Sequence, residues 1–233
     1  MDYSWPPHSQ RLTYLSGIRT VKISAHSPNS DADEDRYTFE IELVNSTHRT
    51  ISFDKISYYG KYPSDFSHQG FMDVLGSIET DSIETLCFYH CPVHTHHTLP
   101  QVTPEYVTQG LRKFQNLKTL ILMDCNITLF HDCLSSCPIV DTLVVYSAHL
   151  DHTTIVDIVR RVEELAVSRQ RAGSPLRALT LVFPFAGPRP LELERLTSCV
   201  GRVEVLSGRE AVCWDVDKYL LGATTHKDNA SGL

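Results

Sequence analysis

The densest run of metal-binding side chains is Cys87-x3-Cys91-x2-His94-x-His96-His97, with His90 inside it. Thiolates and neutral imidazoles are the usual ligands of zinc, and Cys87, Cys91, His94 and His96 could supply a four-ligand set. The same residues also read as structural thiols beside a solvated histidine loop. Cys87 alternates with Leu86 and Phe88, so it belongs to the opposite face of a strand. Cys91 stands at a turn, and His94 to His97 fall in an insertion. A second group, Cys133 and Cys137 near His131 and Asp132, lies along one short helical stretch. Catalytic cysteines usually draw their histidine from a distant part of the chain, so these thiols read as small apolar packing groups. The sequence contains no phosphate-binding glycine loop of the G-x-x-x-x-G-K-[ST] or G-x-G-x-x-G type. It also lacks G-x-S-x-G and H-E-x-x-H. No catalytic residue, cofactor or metal is therefore assigned. A zinc-binding structural domain and an enzyme of unrecognised type stand as the alternatives to an interaction protein.

Composition narrows the partners. The 233 residues are 42% hydrophobic and 21% charged, with a formal charge of −7. Such a chain can bury a core without disulfides or metal, and its acidic balance offers no field for nucleic acid. The acidic run Asp31, Asp33, Glu34, Asp35 reads as a solvated loop. No segment has the roughly 18 consecutive apolar residues of a spanning helix, and Met1 to Pro7 lacks the basic and apolar regions of a signal peptide. Seven scattered cysteines fit reduced thiols better than a disulfide framework. The expectation is an intracellular protein, cytoplasmic or nuclear, that contacts neither membrane nor nucleic acid.

The elements that must position these residues follow a repeat. Ile83-x2-Leu86-x-Phe88-x2-Cys91-x-Val93 aligns with Leu117-x2-Leu120-x-Leu122-x2-Cys125-x-Ile127 and with Val140-x2-Leu143-x-Val145-x2-Ala148-x-Leu150. This is the L-x-x-L-x-L-x-x-(N/C)-x-L pattern of leucine-rich repeats. In it a short strand points two apolar residues inward, and a small polar or cysteine residue turns the chain and bonds its neighbour's backbone. Weaker copies begin at Leu176 and Val200, and an early one is Ile18, Val21 and Ile23. Two of the intervals between block starts match the roughly 20–29 residues of ordinary repeats, and two carry insertions of about ten.

Between the blocks, apolar residues recur at helical spacing after Thr103-Pro104 and around Leu129 to Leu134. The longest helix is expected from Thr153 to about Arg171, with Ile155, Ile158, Val159, Val162 and Leu165 in its stripe. Gly173-Ser174-Pro175 should stop it. Strand–helix alternation implies parallel strands. Upstream, Tyr37 to Leu43 and Thr50 to Ile56 alternate like an antiparallel hairpin or meander. The fold class expected is therefore an irregular leucine-rich-repeat-like α/β solenoid with helices on one face. It divides into an N-terminal β-rich cap (residues 1–80), the array (81–223) and a disordered tail (224–233).

Strand parity singles out a second face. If Leu86, Leu120, Leu143 and Leu179 face the helices, then Tyr89, Ile121, Met123, Val144, Tyr146 and Val182 face away. That set is apolar with two tyrosines, a composition found at protein-binding patches. It is also what a parallel strand buried on both faces looks like, with the N-terminal meander or a loop as its cover. Periodicity alone does not separate these readings.

The Leu117–Cys125 and Val140–Tyr146 blocks, the helix ending Arg-Ala-Gly-Ser-Pro-Leu-Arg, and Cys199-Val-Gly-Arg-Val-Glu-Val205 with Trp214-Asp215 resemble fungal F-box-like proteins. The likeness is to the leucine-rich-repeat portion of basidiomycete members and spans roughly Ile83 to Asp215. It implies an interaction scaffold derived from the substrate-recognition part of a ubiquitin-ligase receptor, with an unidentified protein as partner. Nothing near Met1 resembles the F-box that docks the Skp adaptor, so that adaptor is not expected.

Overall fold

The computed structural model describes residues 17–26, 36–45, 50–59, 80–89, 111–125, 127, 131, 134, 139–148 and 151–220. Its strands are β1 (Ile18–His26), β2 (Arg36–Asn45), β3 (Thr50–Tyr59), β4 (Thr85–Tyr89), β5 (Thr119–Met123), β6 (Thr142–Tyr146), β7 (Ala178–Phe183) and β8 (Arg202–Ser207). They form one open sheet in the order β3-β2-β1-β4-β5-β6-β7-β8. β2 and β3 pair antiparallel, as their alternating pattern predicts, and β1 pairs antiparallel with β2 as well. After β3 the chain crosses to place β4 parallel beside β1, and β5 to β8 are then added in order, each parallel to the strand before it. The structure is mixed α/β with a mostly parallel sheet. β1 lies inside that parallel run while its hairpin partners extend the edge, so a single sheet crosses residue 80 without a break.

The parallel strands are in register at the repeat positions. Leu86, Leu120, Leu143, Leu179 and Val203 occupy one row. Phe88, Leu122, Val145, Leu181 and Val205 occupy the next but one. Both rows belong to a core shared with Val21, Ile23, Leu111, Phe114, Leu134 and the helices. Each buried leucine contributes about 1.5–3 kcal/mol from the apolar surface it removes from water.

Helix α1 (His152–Arg171) matches the periodicity closely. Asp151 caps it by accepting from the Thr153 and Thr154 amides. Ile155, Ile158, Val159, Val162, Leu165 and Ala166 are its buried stripe. At the far end Gly173 adopts φ 76°. Its amide donates to the Gln170 carbonyl at 3.1 Å and the Ser174 amide to Arg169 at 3.0 Å, the paired bonds of a Schellman stop. Helix α2 (Pro190–Cys199), opened by a first-turn proline, follows β7 and buries Leu196 in the same core as α1. The sequence reading contains no α2, because Pro184, Pro188 and Pro190 obscure the short pattern around Leu193 and Leu196.

At the start of five neighbouring strands stands a charge of alternating sign: Arg19, second residue of β1, then Glu84, Lys118, Asp141 and Arg177, each one residue before its strand. Backbone bonds link them in sequence, from the Glu84 amide to Arg19 O at 2.8 Å through to the Arg177 amide to Asp141 O at 2.8 Å. Ion pairs join Arg19 to Glu84 at 3.1 Å, Lys118 to Glu84 at 3.6 Å and Arg177 to Asp141 at 3.4 Å. Exposed pairs of this kind add little stability each. A slip by one strand would set like charges side by side, so the ladder favours the observed strand order.

Candidate functional site

The face opposite α1 and α2 is built from alternate residues of the parallel strands. Strand pairing sets Lys22, Cys87, Ile121, Val144, Thr180 and Glu204 in one row. Tyr89, Met123, Tyr146, Val182 and Leu206 form the next row on that face. All six residues expected to line a partner surface are thus brought together. Their environments divide them. Ile121, Val144 and Val182 are fully buried, whereas Tyr89, Met123 and Tyr146 are half-buried at the margin of the same cluster.

The cover is the chain's own C-terminal segment rather than the N-terminal meander. After β8 come two short helices, α3 (Arg209–Val212) and α4 (Val216–Leu220). Ala211 and Val216 complete the buried cluster, with Trp214, Tyr219 and Leu220 packed around it. The Trp214 ring stacks on Tyr146 at 5.8 Å between centroids, and Tyr219 tilts against Trp214 at 5.9 Å. At the β1 end, Lys22 is ion-paired with Asp217 of α4 and, at 2.8 Å, with Glu42 of β2.

Burial sets the protonation of the groups on this face. Burial pushes the Cys87 thiol up to about 12, against the Lys22 ammonium and a Tyr89 hydrogen bond that pull it down. A thiol held protonated is a poor nucleophile and metal ligand. Burial works to discharge Lys22, but the hydrogen bonds it donates to Asp217 and Glu42 outweigh it and hold the ammonium above its ordinary range. Tyr89, Tyr146 and Tyr219 are likewise raised, first by burial. The face thus holds a paired, buried cation beside phenols and aliphatic groups.

Cys125 Sγ lies 3.5 Å from the Phe88 carbonyl of the neighbouring strand and 3.3 Å from Met123 O, so its one thiol proton can be donated to either. Cys91, His94, His96 and His97 lie outside the described residues, as do Asp132, Cys133 and Cys137. Among the described residues no three histidine, cysteine or carboxylate side chains form a metal-binding group. No described helix is long and apolar enough to cross a membrane. Lys22, Glu42, Trp214, Asp217 and Tyr219 are the members that sequence reasoning missed. Lys22 and Glu42 read as ordinary polar positions of alternating strands. The aromatic-acidic stretch Trp214 to Tyr219, directly after the last strand, was the available signal.

Tyr146→Ala is expected to lower stability by about 2 kcal/mol, from the lost ring area and the stack on Trp214. Thermal unfolding should record this as a drop of about 4–8 °C. An unchanged melting temperature would mean that Trp214 does not rest on Tyr146 in solution. No protein-family model matches the chain, and neither does any curated protein.

Proposed function

We propose that the chain is a leucine-rich-repeat-type solenoid that serves as a non-catalytic protein-interaction scaffold. The observation that carries this reading is the parallel run from β1 to β8, in register at the repeat leucines, with α1 and α2 on one face. Sheets that bind nucleotides between helical layers have parallel strands on both sides of the point where strand order reverses; here the order turns at β1/β4, and the strands beyond it, β2 and β3, pair antiparallel. The Cys125 bond to the preceding strand supports a repeat array, because it places the turn residue where one repeat is tied to the next. The neutral, desolvated Cys87 and the charged Lys22 support binding over catalysis. The resemblance to fungal F-box-like proteins supports descent from a substrate-recognition array.

Affinity capture of the full chain, followed by cross-linking mass spectrometry, tests the proposal. The expected result is one or a few proteins enriched at near-stoichiometric level, with cross-links mapping to residues 81–220. Skp adaptor and cullin among them would place the scaffold in a ligase. Their absence beside a reproducible partner would mark a free-standing scaffold. Recovery of no protein above an unrelated bait of similar size would overturn the reading.

A further inference from the structure

The C-terminal segment occupies the place on the array that a bound peptide would occupy, and it does so with separable anchors. Trp214 lies on Tyr146, Val216 fills the apolar centre, and Asp217 meets Lys22 at the β1 end. Both helices are short, of four and five residues, below the length at which helices are stable alone. Their order therefore comes from the sheet beneath. The segment's outer surface is wet: Val212 is 64% exposed and the Asp217 side chain 62%. The floor is prepared for departure as well. Lys22 keeps Glu42 at 2.8 Å when Asp217 leaves, so removing the segment does not strand a buried cation.

We infer that the covered sheet face is a peptide-binding groove, with residues 209–220 as its in-cis ligand, displaced by a protein segment of the same chemistry. That chemistry is an aromatic residue, an acid three positions on and a second aromatic two beyond, as in Trp214, Asp217 and Tyr219. The inference rests on the scaffold reading and names the partner class of its site. The acid supplies the charge that Lys22 selects, and the first aromatic supplies the stack on Tyr146. The partner must therefore compete with a tethered ligand, whose effective concentration reaches the millimolar range for short linkers.

Two measurements on the full-length chain test this. In native-state hydrogen exchange, the bonded amides of Val212, Trp214 and Tyr219 should exchange together, at least 100-fold faster than those of Leu120–Leu122 and Leu143–Val145. Exchange of all of them at one common rate would show that the segment is permanent core and would overturn the inference. In the second, a labelled peptide of residues 209–220 carrying Cys213→Ser is titrated by fluorescence anisotropy. It should bind the full chain carrying Asp217→Lys at least tenfold more tightly than the wild-type chain, and a peptide with Asp217→Lys should bind at least tenfold more weakly. Equal binding in these comparisons, or no binding to either chain, would overturn it. If Asp217→Lys unfolds the chain, the exchange result on wild type decides alone. Partner capture combined with a segment that never opens would sink this inference and leave the scaffold standing.

Discussion

Val144→Asp is expected to remove about 4 kcal/mol or more of stability, lowering the urea midpoint sharply. Val144 is fully buried on the face away from the helices, between Ile121 and Thr180 on neighbouring strands. A carboxylate there would lose its water without a cation in its row nearer than Lys22, on β1 beyond the two intervening strands β4 and β5. Burying such a charge unpaired costs several kcal/mol even after its pKa rises. Natural domains have only about 5–15 kcal/mol in total. Val212→Asp makes the same change on α3 at 64% exposure and should stay within about 0.5 kcal/mol. Urea unfolding of the two variants against wild type gives the comparison. Were the sheet face open, both substitutions would be nearly silent, so a silent Val144→Asp would refute the cover.

That contrast marks where the sequence stops being legible. The helix-facing rows were readable because Leu86, Leu120, Leu143 and Leu179 recur in one motif, and the strands fall where it places them. The long helix was equally clear, since its stripe runs from Ile155 to Ala166 and the helix stops before a glycine that takes the left-handed conformation. The second face was not decidable. Cys87, Ile121, Val144 and Val182 are apolar whether a peptide, a partner or the chain itself covers them. What covers them is a segment too short for periodicity, α3 and α4 having barely one turn each. The residues that anchor it come from opposite ends of the chain. Lys22 and Asp217 are separated by 195 positions, and nothing local in Val21-Lys22-Ile23 distinguishes a buried lysine from a solvated one.

The second large effect is alkaline. Stability should hold steady up to about pH 9 and then fall. An unfolded Cys87 thiol ionises near its ordinary 9.0, whereas the buried thiol keeps its proton to about 12. Between those values the unfolded state binds fewer protons than the folded one, so stability declines as pH rises. The slope approaches about 1.4 kcal/mol per pH unit for one such group, and the full interval amounts to about 4 kcal/mol as an order of magnitude. Tyr146 and Tyr219, whose pKa values burial raises above 10.0, push in the same direction at higher pH. Lys22 does so too, because a raised ammonium stabilises the fold below 10.5 and ceases to above its folded pKa. Urea midpoints at pH 7, 9, 10 and 11 should therefore decline for wild type. Cys87→Ala should lessen the fall most at its onset just above pH 9, where the unfolded thiol ionises ahead of tyrosine at 10.0 and lysine at 10.5. Wild-type midpoints that stay level to pH 11 would mean that the thiol is hydrated. The C-terminal segment would then not seal this face, and the groove would stand open to partners without any displacement.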